Sequence, residues 1–445
     1  MQTFKNFKNF LKQFPRHWVV TASAWGSRIV SALIQIISIR ALLSYLGEER
    51  YAVYVIAYSL SGWFALCDVG VGTALQNFIS ECRARNENYN KYLLAALQLI
   101  AAFLLIFIII LLIVSPFIQS GLFSKYVNLP EIQTINIIAV IGCVFIVTAL
   151  ANIVYKVYFA LQKGYVSNIL PALSMVLSMI IIVIINEYST VRNSILLALL
   201  AFSLPQLLIA LFPFFKIFRN FFKEIFNFDS NTIKQLFIRA AKFSGFAVMA
   251  AMTLQIDYLI MSQTVDPSGI TAYNIFGRFF LVLMFIHSAL LAASWPLSNE
   301  MFNRGEYAGI KIMLRKYLLF GFAIISLGSF FVYLFSDLII KILAPETFIN
   351  TSTIFFILFA SYFLLRVLSD TFAMFLQSIN AIRVFWIFIP FQALISFAAQ
   401  LYLSSKYGIH GILGGLIISF ILTSCWILPY KTWKVFKSKE NLNAI

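Results

Sequence analysis

Apolar residues along this chain run for about 20 positions at a time, and polar residues gather in short stretches between the runs. Twelve runs stand out: 18–43, 51–78, 92–115, 133–155, 166–186, 194–215, 243–264, 271–297, 317–340, 351–377, 384–404 and 411–430. At roughly 1.5 Å of rise per residue, a helix of that length crosses a hydrocarbon layer of about 30 Å. Lipid offers no partner to an exposed backbone group, so each run is predicted to be helical. Run 51–78 also reads as a span that ends in an interfacial extension. Pro205 and Pro390 each delete one backbone hydrogen bond and predict kinks, and Pro296 predicts a kink or the end of the eighth run. Gly62, Gly70 and Gly72, like Gly411, Gly414 and Gly415, predict close approach between helices.

The pattern recurs at long range. Glu81, Arg85 and Glu87 in ISECRARNEN are matched 219 positions later by Glu300, Arg304 and Glu306 in SNEMFNRGEY. Tyr54 and Ile56 fall on Tyr273 and Ile275 in the same register, and Asp68 falls opposite His287. A repeat on this scale predicts two similar halves, an architecture common among transporters. The matched charged loops fall on the same side of the membrane, so the halves are expected to run parallel.

Composition and charge sharpen this reading. Hydrophobic residues make up 61% of the 445 and charged residues 11%, with 47 Phe, more apolar surface than a soluble protein of this size hides. Most of the 33 Lys and Arg fall on the side of the N-terminus, which predicts that both termini are cytoplasmic. The same bias accounts for the net charge of +16 without nucleic acid, for which no aromatic-basic module is present. The four Cys form no CxxC, so neither disulfide nor metal site is indicated. There is no GK dipeptide and no HExxH, which excludes a phosphate-loop ATPase and a zincin. The expectation is a transporter, not an enzyme, without cofactor, powered by a gradient, the membrane potential or mass action.

The predicted organisation is an all-α polytopic membrane protein with about twelve spans in two six-helix lobes. Residues 1–17 form a cytoplasmic interfacial helix, with Phe4, Phe7, Leu11 and Phe14 on one face. Residues 18–215 are the N-terminal lobe and 216–242 a cytoplasmic amphipathic linker whose Phe218, Phe221, Phe222 and Ile225 dip into the interface. Residues 243–430 are the C-terminal lobe and 431–445 a basic cytoplasmic tail.

Candidate chemistry lies in residues that lipid disfavours. Arg28, Asp68, Asp257, Arg278, His287, Arg366 and Asp370 sit well inside apolar runs. Each costs roughly 2.5–3.5 kcal/mol on insertion scales unless it faces protein or a wet cavity. Thr21, Arg28, Ser31, Gln35 and Ser38 share one face of the first run; Tyr362, Arg366, Asp370 and Gln377 share one face of the tenth. Arg28, Ser31, Gln35, Arg278, Arg366 and Gln377 are the candidate substrate-cavity residues, and Asp68, Asp257, Asp370 and His287 the candidates for ion coupling or charge pairing. The alternatives stay open. Arg366 and Asp370, four apart, either bind substrate or neutralise each other. Asp68 either couples ions or caps a broken helix, and His287 is a coupling group or a hydrogen-bonded structural histidine.

QIDYLIMSQTVDPSGITAYNIFGRFF followed by SWPLSNEMFNRGEY resembles the polysaccharide-transporter branch of the multidrug/oligosaccharidyl-lipid/polysaccharide (MOP) exporter superfamily. The family pattern is met by Asp257, Ala272-Tyr273, Arg278 and Pro296, and in the first half by LGEERYAVYVIA and Asp68-Val69-Gly70, with Ala52 where Gly is common. The resemblance implies a MATE-like fold, two lobes related by a parallel pseudo-two-fold axis, rocking about a central cavity. It implies a flippase in the bacterial inner membrane that moves undecaprenyl-diphosphate-linked oligosaccharide, such as an O-antigen unit of lipopolysaccharide, from the cytoplasmic to the periplasmic leaflet. Membrane lipids and a polymerase or other glycan-assembly proteins are the implied partners. A cation-coupled drug exporter of the same superfamily is the near rival. A membrane enzyme of glycan assembly is the distant one, disfavoured by short outer loops.

Overall fold

The computed structural model describes residues 16–188, 193–345, 351–379, 381 and 383–442. The predicted interfacial helix therefore lies outside the described residues except for its last two positions, as does the side chain of Thr21. Among the described residues every regular element is helical. The α-helices are α1 (Arg16–Phe64), α2 (Val71–Ala84), α3 (Asn90–Leu122), α4 (Pro130–Thr134), α5 (Ile137–Ala151), α6 (Ile153–Ala160), α7 (Gly164–Tyr188) and α8 (Ile195–Phe218). They continue with α9 (Ser230–Leu254), α10 (Asp257–Thr264), α11 (Pro267–Asn303), α12 (Tyr307–Leu334), α13 (Ser336–Leu343), α14 (Thr353–Ser378), α15 (Arg383–Tyr407), α16 (Ile409–Leu422) and α17 (Ser424–Leu442).

Eleven segments of the described residues are long and apolar enough to cross a membrane. The first, Ser23–Asp68, has 46 residues. Straight, it would reach about 70 Å, over twice a hydrocarbon layer of about 30 Å. The helical path breaks at Gly47, at φ 72° and ψ 172°, so this segment has the length and the break for two crossings, which would bring the total to the twelve runs. Gly47 leaves the helical region where an L side chain rarely goes.

Several runs are segmented differently from the prediction. Run 51–78 does not continue as one helix: α1 ends at Phe64, a tight turn covers Ala65–Asp68, and α2 begins at Val71. Val69 and Gly70 both have positive φ, 47° and 72°. The cause is local, because the Gly70 N–H donates to Asp68 Oδ1 at 2.9 Å and closes the turn. Run 243–264 starts earlier, at Ser230, and breaks at Gln255–Ile256 before Asp257 opens α10. Run 411–430 breaks at Thr423, and α17 carries the predicted tail on as helix to Leu442. The helices run through Pro205 and Pro390, and α11 runs past position 296 to Asn303 rather than ending there.

The connection between the sixth and seventh spans narrows to 219–229. Phe218 is fully buried in protein instead of dipping into the interface, packed on Phe214 at 4.7 Å between ring centroids. Gln98 Nε2 on α3 donates to the carbonyls of Ile225 and Asn227, each at 2.9 Å, and clamps the connection. Asp229 caps α9 by accepting from the Thr232 hydroxyl and N–H, bonds that hold its carboxyl below the ordinary range.

The chain forms two compact units, Met1–Val248 and Met249–Ile445. In the first, α1 packs chiefly on α7, α7 on α8, and α5 on α3 and α8. In the second, α15 and α16 form the tightest pair, with the Gly411 and Gly415 positions against the α15 backbone at Leu403 and Gln400. Helix α14 is central there, packing on α11, α12 and α16. Outer faces are apolar: Leu105, Ile109, Leu112, Ile113 and Phe117 of α3 are all exposed, as lipid contact requires.

The 219-residue repeat extends to the backbone. After α2, the N–H groups of Arg85, Asn86 and Glu87 donate to the carbonyls of Glu81, Arg83 and Cys82 at 3.2, 3.3 and 2.8 Å. After α11, those of Arg304, Gly305 and Glu306 donate to Glu300, Phe302 and Met301 at 3.0, 3.1 and 2.9 Å. Asn86 and Gly305 both take positive φ, 56° and 76°. The two charged loops end their helices with the same left-handed cap.

Candidate functional site

The candidate residues divide between the two units. In the first, α1 carries Arg28, Ser31 and Gln35 along one face. Arg28 is exposed, while Ser31 and Gln35 are partly covered. Part of this polar stripe is used against α7: Asn168 Nδ2 donates to Ser23 Oγ at 3.0 Å, and Gln35 Nε2 lies 3.8 Å from Met175 Sδ. Arg28 lies toward the N-terminal end of the same stripe.

Asp68 sits at the turn before α2. One carboxylate oxygen holds Gly70; a Cβ on Gly72 would lie 3.2 Å from the other and 3.1 Å from Lys156 Cγ of α6. Gly72 is thus wedged between the Asp68 and Lys156 side chains, and Asp68 forms the helix break. Gly70 stands against α9, where a Cβ would come within 2.5 Å of the Ala240 carbonyl oxygen.

In the second unit, Asp257 opens α10 and is almost fully buried. Its carboxylate accepts from the Tyr273 hydroxyl at 2.6 Å and from the Tyr258 N–H at 2.9 Å. Tyr258 accepts in turn from Asn274 Nδ2 at 3.0 Å and lies within electrostatic reach of Arg278. Tyr273 also packs on Phe359 of α14, at 5.2 Å between ring centroids.

Arg366 and Asp370 pair on α14 at 3.5 Å, with side chains 20% and 35% exposed. The contact is long for a charge-assisted bond. Arg366 also stands over the Phe363 ring at 5.9 Å, and its Nε is buried with no hydrogen-bond partner among the described residues. Gln377 lies two turns further on, partly covered. His287 is fully buried; its Nε2 bonds Thr371 Oγ1 at 3.1 Å, and its Nδ1 faces Gly321, where a Cβ would stand 2.7 Å away. This is the geometry of a packed histidine with one bond.

The structure therefore joins Arg366 to Asp370 and ties Asp257 to Tyr273, and it sets His287 against Thr371. Tyr258, Asn274, Thr371, Gly321 and Lys156 take part and were not singled out from the sequence. Tyr258 directly follows Asp257 and offered a signal; the others touch their partners only through tertiary packing. Among the described residues no group of three or more His, Cys, Asp or Glu is placed to hold a metal.

No family model matches. The chain is 38% identical over 423 residues to a protein of Yersinia pseudotuberculosis named for O-antigen export, covering 94% of this chain and 95% of that one. It is 35% identical to a protein of Salmonella typhi named as an O-antigen transporter, covering 97% and 98%. Among solved structures, a MATE family multidrug resistance transporter of the MOP superfamily in an inward-facing conformation matches with a TM-score of 0.72 at 13% identity, over 92% and 96% of the two chains. The lipid II flippase MurJ in an inward closed conformation matches with a TM-score of 0.65 at 15% identity, over 94% and 89%. These likenesses establish an all-α, MATE-like membrane fold, and the near-full-length identity places the chain in the family of O-antigen transporters.

Proposed function

We propose that this protein is a flippase for undecaprenyl-diphosphate-linked oligosaccharide, moving a surface-glycan repeat unit such as O-antigen to the periplasmic leaflet by alternating access. The observation that carries the reading is 38% identity, over nearly the whole chain, to a protein named for O-antigen export. The charge pattern supports the bacterial inner membrane as its place, with both termini cytoplasmic. Glycan-assembly proteins such as a polymerase are its working partners.

The chemistry suits an anionic lipid head. Arg28, Arg278 and Arg366 offer planar, bidentate donors to a diphosphate, and the buried Nε of Arg366 retains an unused proton for an acceptor. Ser31, Gln35 and Gln377 supply hydroxyl and amide partners for sugars. Asp68, Asp257, Asp370 and His287 are the groups for ion coupling or charge pairing, with Asp257 held by Tyr273. Two lobes, 18–215 and 243–430, joined by a cytoplasmic linker and followed by a basic tail suit this role.

The test is complementation of a flippase-null strain. Wild type should restore surface glycan, and Arg28→Ala should abolish it at unchanged protein level. Full surface glycan with Arg28→Ala would overturn the cavity assignment. A drug exporter would instead raise drug resistance and leave the glycan defect in place.

A further inference from the structure

On the second unit, three helix starts meet. They are those of α11, α14 and α16. Between them lies an open cavity of about 110 Å³, lined by Asp266, Ser268, Gly269, Ala272, Thr351, Ser352, Phe355, Ile409 and His410. Its rim is polar and exposed at Asp266 and Ser352, and its floor is apolar and buried at Ala272 and Phe355. The polar wall is ordered. Ser352 Oγ bonds His410 Nε2 at 2.7 Å and accepts from the Phe355 N–H at 3.3 Å. The Ser268 hydroxyl donates to the Asp266 carboxylate. The Phe355 ring meets His410 edge-on at 6.4 Å between centroids.

The lining selects by charge. A metal cation would find only Asp266 and His410 as ligands, and the positive ends of three helices oppose it. A phosphate would be drawn by the same helix ends, but it would find no Lys or Arg among the lining residues and would face the Asp266 carboxylate. What remains is a neutral ligand rich in hydroxyls. Asp266 accepts, Ser268, Thr351 and Ser352 donate or accept, His410 does either according to tautomer, and the apolar floor suits a C–H face. At about 110 Å³ the cavity is well below the roughly 300 Å³ at the small end of drug-sized sites, so it seats at most one ring, held partly outside its open mouth, and not an oligosaccharide.

We propose that this cavity is a sugar-binding subsite that engages a single neutral pyranose of the glycan. It rests on the flippase reading for the source of the sugar. Under the orientation proposed above it opens on the periplasmic side, where it would hold the glycan as the lipid head leaves.

The test uses the full chain in detergent and saturation-transfer NMR with methyl α-glucopyranoside, methyl β-galactopyranoside and N-acetylglucosamine, with inorganic phosphate and Zn²⁺ as competitors. At least one sugar should receive saturation, and neither ion should displace it. Asp266→Asn and His410→Ala should each weaken binding about fivefold, as loss of one hydrogen bond implies. Ser268→Trp should abolish binding by filling the mouth at an unchanged melting temperature. No transfer to any sugar, unchanged binding in all three variants, or displacement by phosphate or Zn²⁺ would overturn the proposal. Sugar binding lost in the variants, in a protein that never restores surface glycan, upholds the cavity and sinks the flippase reading. Restored glycan without sugar binding does the reverse.

Discussion

The segments 47–87 and 266–306 begin and end alike and differ in the middle. Each starts at a non-helical residue, Gly47 or Asp266, and each ends on a left-handed cap, at Asn86 or Gly305. Between them, Asp68-Val69-Gly70 stands where the second unit has His287-Ser288-Ala289. The first triplet breaks the helix by an acid-to-backbone bond and two positive φ angles; the second continues a 37-residue helix. Titratable groups at equivalent positions therefore do different structural work, a turn in one unit and close packing in the other. The repeat preserves the frame and leaves its middle free to diverge.

The comparison can be broken most severely at Gly70. Gly70→Ala should destabilise by on the order of 3 kcal/mol, combining a left-handed side chain with overpacking against the Ala240 carbonyl. The readout is thermal unfolding in detergent, and a wild-type midpoint would refute the close approach. Gly321→Ala should cost about 1–3 kcal/mol, since its Cβ would stand 2.5 Å from Val367 Cγ1 and 2.7 Å from His287 Nδ1. His287→Ala should relieve part of that loss, so a double-mutant cycle should show coupling; additive effects would remove His287 from the contact.

Gly305→Ala should lower stability by roughly 1–2 kcal/mol, whereas Asn86→Gly should be neutral or slightly stabilising, because both caps need positive φ and only one holds a glycine. A clear loss of stability in Asn86→Gly, or none in Gly305→Ala, would show that the caps are not equivalent. The smallest stability effect is expected for Asp68→Asn, which keeps the oxygen that accepts from Gly70, while Asp68→Ala should lose about 1 kcal/mol as lost caps do. If Asp68→Asn abolishes surface glycan at unchanged stability, its charge matters to transport beyond the turn.

Spans were legible because a 20-residue apolar run has one stable form in lipid. The repeat was legible from a few charges, since caps depend on local sequence. The helix break at Asp68 was present in the sequence as an open alternative to ion coupling, and the Asx-type bond to Gly70 explains why a D-x-G triplet stops a helix. The α9–α10 break was not legible: Gln255 and Ile256 carry no breaker residue, and the Asp257–Tyr273 bond that fixes α10 spans two helices. Phe218 was misread as interfacial, because a phenylalanine near a basic stretch looks the same whether it faces lipid or Phe214. The Arg366–Asp370 pair followed from spacing four, while His287–Thr371 arises only when α11 packs on α14, and the Asp266–Ser352–His410 rim only when distant helix starts converge.

The break at Gly47 has a consequence for how the chain enters the membrane during synthesis. Only the short stretch 44–50 separates the two crossings, so they should leave the ribosome close together and insert as a pair. Arg28 makes the first crossing a poor stop on its own, at roughly 2.5–3.5 kcal/mol for a central arginine. The second crossing carries no charge from Tyr51 to Phe64, so it should offer the arginine-bearing helix an uncharged partner as the two enter lipid together.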